Sequence, residues 1–129
     1  MENRMNAVAR KSILVVDDTS IVAETIDLLL SHLGHRVETS CDGPEALTKF
    51  ESGKYHLVIT DYRMPQMNGL ELARAIKNRE AGQLVVLLSA FTTPMFLDNP
   101  KPLPVDLIME KPFSLDEFQK ALTGLFPAG

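Results

Sequence analysis

The sequence predicts an α/β fold: a doubly wound parallel sheet of five strands with helices on both faces. Short apolar runs alternate with stretches of helical periodicity along the whole chain. Consecutive strands are thus separated by helices, so the connections are crossovers and the sheet is parallel. The length, 129 residues, suits one domain that buries roughly two-thirds of the surface its unfolded form exposes.

Ile13-Leu14-Val15-Val16 is a buried-strand run that ends in Asp17-Asp18. From Ser20 the period becomes helical, with Val22, Thr25, Ile26, Leu29 and Leu33 as the expected stripe and Gly34 as the stop. His35 to Ser40 forms the second strand, and Val37 between Arg36 and Glu38 is polar enough company for a sheet edge. Gly43-Pro44 opens the next helix, whose stripe is Ala46, Leu47 and Phe50 and whose end is Gly53. Tyr55 to Thr60 is strand three, and it too ends in an aspartate, Asp61.

The third helix runs from about Gly69 to Arg79, with Leu72, Ala73 and Ile76 inward. Leu84-Val85-Val86-Leu87-Leu88 is the most apolar run in the chain and leads into Ser89-Ala90. A helix belongs next, but Pro94, Pro100, Pro102 and Pro104 fall between Phe91 and Val105. An interior proline costs a helix ~3 kcal/mol, so the fourth helix is expected to be shortened to a turn or two near Pro94 to Asp98, or replaced by a proline-rich loop. Leu107-Ile108-Met109 makes the fifth strand, just before Lys111-Pro112. The last helix begins at Ser114, with Glu117 completing a capping box, and is expected to bury Leu115, Phe118, Leu122 and Leu125.

Composition narrows the function classes. A chain that is 45% hydrophobic, 23% charged and without Trp is neither disordered nor a cysteine-stapled secreted domain. Thirteen Lys+Arg against 17 Asp+Glu give a net charge of −4, which argues against a dedicated nucleic-acid binder. Cys41 stands alone, fits a reducing compartment and is expected as a small half-buried residue. The first residues lack the apolar stretch of a signal peptide, and no apolar run approaches ~18 residues, so a cytoplasmic protein without contact to membrane is expected. Residues 1–10, with Arg4 and Arg10, are expected to be a flexible tail, 11–126 the domain, and 127–129 a short C-terminal tail. His32, His35 and His56 show no ligand spacing, and Met64, Met67, Met95 and Met109 are expected to pack.

In an open parallel sheet, ligands bind beyond the carboxyl ends of the strands. The residues there are Asp17, Asp18, Asp61, Ser89 and Lys111. Carboxylates packed together repel, and a hard oxygen-seeking cation such as Mg²⁺ compensates them. An amine and a hydroxyl beside that cation suit the oxygens of a phosphoryl group in transfer. The residues therefore point to metal-assisted phosphoryl chemistry.

In these motifs the chain resembles a response-regulator receiver domain, the phosphoacceptor half of a two-component system. The likeness rests on Val15-Val16-Asp17-Asp18, Asp61 to Gly69 (D-Y-R-M-P-Q-M-N-G), Ser89-Ala90 and Lys111-Pro112-Phe113, and it covers about residues 11–126. It implies a flavodoxin-like sheet in order 2-1-3-4-5. It implies that Asp61 takes a phosphoryl group from a phosphohistidine on a sensor histidine kinase or histidine phosphotransfer protein. Asp18, Asp61 and the backbone carbonyl of Arg63 would hold Mg²⁺ directly, and Asp17 through water. Lys111 would pair with the phosphoryl group, Ser89 would hydrogen-bond it, and Lys111-Pro112 would be a cis peptide.

One residue departs from the family pattern. Receivers usually carry an aromatic residue on strand five, three positions before the lysine, and Ile108 stands there. The readout is therefore expected to shift toward the segment between Phe91 and Val105, and no output domain is recognisable, so signalling would run by protein contact to an unknown downstream protein. Two alternatives remain at this level. One is a receiver-like interaction module that is never phosphorylated. The other is a Mg²⁺-dependent phosphohydrolase with an aspartate nucleophile, which would want a second aspartate where Thr19 stands and a cap domain the chain lacks.

Overall fold

The computed structural model describes residues 10–90 and 102–126. Its elements are β1 (Ser12–Val16), α1 (Ser20–His32), β2 (Arg36–Ser40), α2 (Gly43–Lys49), β3 (Leu57–Asp61), α3 (Gly69–Arg79), β4 (Leu84–Ser89), β5 (Leu107–Glu110) and α4 (Leu115–Leu125). All four strand pairings are parallel, in the order β2-β1-β3-β4-β5. The expected doubly wound, flavodoxin-like sheet is present, with the polar strand β2 at one edge.

Alternation along the strands divides the core in two. Ile13, Val15, Leu57, Ile59, Val86 and Leu88 point toward α1 and α4, where Ala23, Ile26, Leu30, Phe118 and Leu122 meet them. Leu14, Val16, Val58 and Val85 point the other way, onto Ala46 of α2 and Leu72, Ala73 and Ile76 of α3. Side chains buried on both faces explain why β1, β3 and β4 read as unbroken apolar runs.

Several expectations shift by a residue or a turn. The buried face of α1 is Ala23, Ile26 and Leu30, whereas Thr25 is exposed and its hydroxyl donates to Ile21 O at 2.8 Å. Ala23 lacks bulk, so the helix settles on the sheet along that line, and Val22 and Leu33 flank it half-buried. Gly34 ends the helix as expected, at φ 97°, where a side chain is strained. Tyr55 precedes β3 rather than opening it, buried and stacked on Phe50 with ring centroids 6.3 Å apart. Cys41 is exposed rather than half-buried, because it lies in the turn between β2 and α2.

Helix α4 has the expected capping box between Ser114 and Glu117, but Leu115 is exposed. Phe113, just ahead of the cap, takes the inward place instead and lies 5.4 Å from the Phe118 ring, an aromatic version of the hydrophobic staple. Residues 102–105 form no helix, and Leu103 and Val105 pack against Leu70 and Leu87. The helical turns expected near Pro94 to Asp98, the packing expected of Met95, and the terminal tails beyond residues 10 and 126 lie outside the described residues. No helix among the described residues is long and apolar enough to cross a membrane.

Candidate functional site

Strand order reverses at β1, which has β2 on one side and β3 on the other. The two crossovers leave in opposite directions there, so a crevice opens beyond the carboxyl ends of β1 and β3. Asp17 and Asp18 follow β1 directly, and Asp61 is the last residue of β3. Backbone bonds continue past the strands and hold these ends in register: Asp17 N donates to Ser40 O (3.1 Å), Tyr62 N to Leu88 O (2.9 Å) and Lys111 N to Ser89 O (2.8 Å).

The carboxylates converge. One oxygen from each of Asp17, Asp18 and Asp61 lies within 4.8 Å of the other two. Lys111 Nζ sits 2.9 Å from Asp61 Oδ1 and 3.7 Å from Asp17 Oδ2. One ammonium against three carboxylates leaves the cluster anionic. Asp17 is buried at 2% exposure, Asp61 is half-buried and Asp18 faces solvent, so the cluster grades from the crevice floor to its mouth.

Asp17 carries the strongest electrostatic signature. Its Oδ1 accepts from Thr19 N at 2.9 Å, while its buried Oδ2 has no hydrogen-bond partner among the described residues. Burial pushes its carboxyl above the usual 3.8, and the neighbouring Asp61 charge adds to the effect; the Thr19 amide and Lys111 oppose it. A buried acceptor left without a donor is what a cation, or water bound to one, would satisfy.

The remaining expected residues fall where the sequence placed them. Ser89 ends β4 and is buried; Asp61 pairs with Leu88, one residue before it, which sets the hydroxyl-bearing residue next to the crevice. Arg63 lies in the β3–α3 loop with its side chain exposed. Lys111-Pro112 is cis. Ile108 is half-buried and packs against Leu70 and Leu87, in the same small cluster as Tyr62, Leu103 and Val105. None of the three histidines joins the acidic cluster.

Two supporting contacts escaped the sequence reasoning. Gly69, the first residue of α3, lies against the end of β3 so closely that a Cβ there would be 2.3 Å from Asp61 O and 2.7 Å from Leu87 Cδ1. Thr60 is fully buried, and its hydroxyl donates to Asp61 O at 2.9 Å. The available signal was a lone hydroxyl in an otherwise apolar strand, which β propensity alone also explains.

Comparison with known proteins agrees with this geometry. Residues 13–123 match the family model described as the response regulator receiver domain. A gliding motility regulatory protein of Myxococcus xanthus is 39% identical over 90 residues, covering 68% of this chain and 12% of that protein. The transcriptional regulatory protein CrdR of Helicobacter pylori is 30% identical over 118 residues, covering 91% of this chain and 55% of that protein. The chain therefore spans at most about half the length of these curated relatives.

Among solved structures, response regulator TrrA of Thermotoga maritima, in complex with Mg²⁺ and BeF, is 35% identical with a TM-score of 0.80, covering 89% of this chain and 98% of that one. The receiver domain of a Pseudomonas aeruginosa sensor histidine kinase, with magnesium coordinated in its active-site cleft, is 26% identical with a TM-score of 0.83, covering 93% and 100%.

Proposed function

The chain belongs to the response regulator receiver family, and from that membership we propose that residues 11–126 act as the phosphoacceptor of a two-component phosphorelay, with Asp61 as the residue that takes the phosphoryl group. The observation that carries this is the placement of Lys111 Nζ 2.9 Å from Asp61 Oδ1 within a cluster of three carboxylates. A lone carboxylate at a strand end suits a helix cap; a carboxylate held by an ammonium beside two others suits the nucleophile of phosphoryl transfer.

A partner phosphohistidine, on a sensor histidine kinase or a histidine phosphotransfer protein, is the donor. An Asp61 oxygen forms a bond to phosphorus as the phosphorus–nitrogen bond breaks, and its electron pair returns to the imidazole. The product is an aspartyl phosphate. Lys111 turns from the free carboxylate to the phosphoryl oxygens, and Ser89 donates its hydroxyl to them. Asp18, Asp61 and the Arg63 carbonyl would hold Mg²⁺ directly and Asp17 through water, and the cation would there supply charge compensation for the phosphoryl oxygens. Asp17 Oδ2, buried and without a hydrogen-bond partner among the described residues, supports that fit. The proposed setting is the cytoplasm, with the signal passed onward by contact with a downstream protein.

Incubation with Mg²⁺ and acetyl phosphate, followed by intact mass measurement, tests the assignment. The native protein is expected to gain one phosphoryl group, and Asp61→Asn none. Labelling that persists in Asp61→Asn moves the acceptor elsewhere; no labelling of the native protein favours an interaction module. Rapid turnover of free phosphodonor would instead mark a hydrolase, which the hydroxyl of Thr19 at the acid/base position disfavours.

A further inference from the structure

We propose that Thr60 is a positioning residue for the phosphoacceptor: its buried hydroxyl orients the peptide that follows Asp61 and thereby the loop that completes the cation site. The inference rests on the function proposed above. Thr60 has no exposed surface and stands in β3 next to Val58 and Ile59, where an apolar residue would be the cheaper occupant. Leaving a buried hydroxyl unpaired costs about 1–3 kcal/mol, so what it bonds to is informative. Its Oγ1 donates to Asp61 O at 2.9 Å and lies 3.9 Å from the sulfur of Met64, three residues beyond Asp61.

The same carbonyl oxygen faces the start of α3, where a Cβ on Gly69 would lie 2.3 Å from it. The next residue is held twice more, since Tyr62 N donates to Leu88 O at 2.9 Å and Tyr62 O accepts from Gly69 N at 2.8 Å. The Asp61–Tyr62 peptide is thus held by the Thr60 hydroxyl and by β4, and the Tyr62–Arg63 peptide after it by the start of α3. Their direction sets where Arg63 begins, and the Arg63 carbonyl is one of the proposed cation ligands. Valine at position 60 would fill nearly the same space and suit a strand equally well, but it has no proton to give. The hydroxyl therefore serves orientation rather than packing.

Thr60→Val, Thr60→Ala and Thr60→Ser separate the two roles when Mg²⁺ affinity, labelling rate with acetyl phosphate and urea midpoint are measured on each. Outer contacts that orient metal ligands are typically worth at least tenfold in affinity. Thr60→Val is expected to bind Mg²⁺ roughly tenfold more weakly and to label more slowly, with an unchanged or higher urea midpoint. Thr60→Ser is expected to restore affinity and rate while lowering the midpoint, because it keeps the hydroxyl and loses the methyl. Thr60→Ala, which lacks both, is expected to lose affinity and stability together, and it carries the test should the valine variant not fold. Native affinity in the variants without the hydroxyl overturns the proposal alone, as does a loss that follows stability across all three. Failure of the native protein to bind Mg²⁺ or to label overturns the function as well.

Discussion

At the scale of single residues, Asp17 sets site chemistry against stability. Its carboxyl is buried, one oxygen has no hydrogen-bond partner among the described residues, and burial raises its proton affinity. Above that raised value the metal-free fold holds a charge it would rather neutralise. Asp17→Asn keeps the shape and removes the charge. It is expected to stabilise the metal-free protein, by relieving the buried charge and its repulsion with Asp61, and to weaken Mg²⁺ binding. Urea denaturation with and without Mg²⁺ checks both halves; a less stable metal-free variant would show that Lys111 already compensates the charge. The five principal site residues were legible because each ends or follows a strand, a position visible in an apolar run. Thr60 was not, since its contact with a neighbouring carbonyl depends on a rotamer that no pattern encodes.

Among the elements, α3 is the one whose placement leaves least slack. Asn68 and Glu71 form its capping box, with Asn68 Oδ1 accepting from Glu71 N at 2.8 Å and Glu71 Oε1 from Asn68 N at 2.9 Å. The next residue, Gly69, touches the Asp61 carbonyl. Gly69→Ala would set a methyl 2.3 Å from a backbone oxygen, and backbone cannot step aside as a side chain can. The expected cost is about 1–3 kcal/mol, with slower labelling of Asp61 as β3 and α3 part. An unaltered urea midpoint would mean that the helix slides away without resistance. Helix existence was readable from caps and periodicity, but α2 stops at Lys49 rather than at Gly53, and the buried faces of α1 and α4 were readable only in part. Which of several adjacent apolar residues turns inward depends on what faces it, as the exchange of Leu115 for Phe113 illustrates.

Over the molecule as a whole, the end of the sheet opposite the acidic crevice is tied by histidines. Lys11 N donates to His35 Nδ1 and Ser12 N to His56 Nδ1, each at 3.0 Å, and Lys11 Nζ lies 4.7 Å above the Phe126 ring of the C-terminal segment. The Nδ1 of His35, in accepting this bond, belongs to a neutral imidazole. Burial, and secondarily the Lys11 charge, hold the His35 value below 6.5. The unfolded chain then binds more protons than the native one in mild acid, so this contribution is complete above pH 6.5 and is lost as pH falls through the lowered native value. The urea midpoint is expected to decline from about pH 7 to about pH 5, with a shallower decline in His35→Gln. An equal slope in that variant would assign the acid sensitivity elsewhere.

The sequence by itself determined the parallel sheet, the polarity of β2 and the strand-end residues, because periodicity and strand termini are local properties of a chain. It also exposed the absence of an aromatic side chain at Ile108. Only the tertiary structure decided that three carboxylate oxygens lie within 4.8 Å of one another, that Lys111 leans on Asp61, and that α3 rests on the Asp61 carbonyl. Those facts join residues from the ends of three strands and the helix after one of them. Their distances follow from sheet register and helix packing, which are set by contacts between segments far apart in the chain.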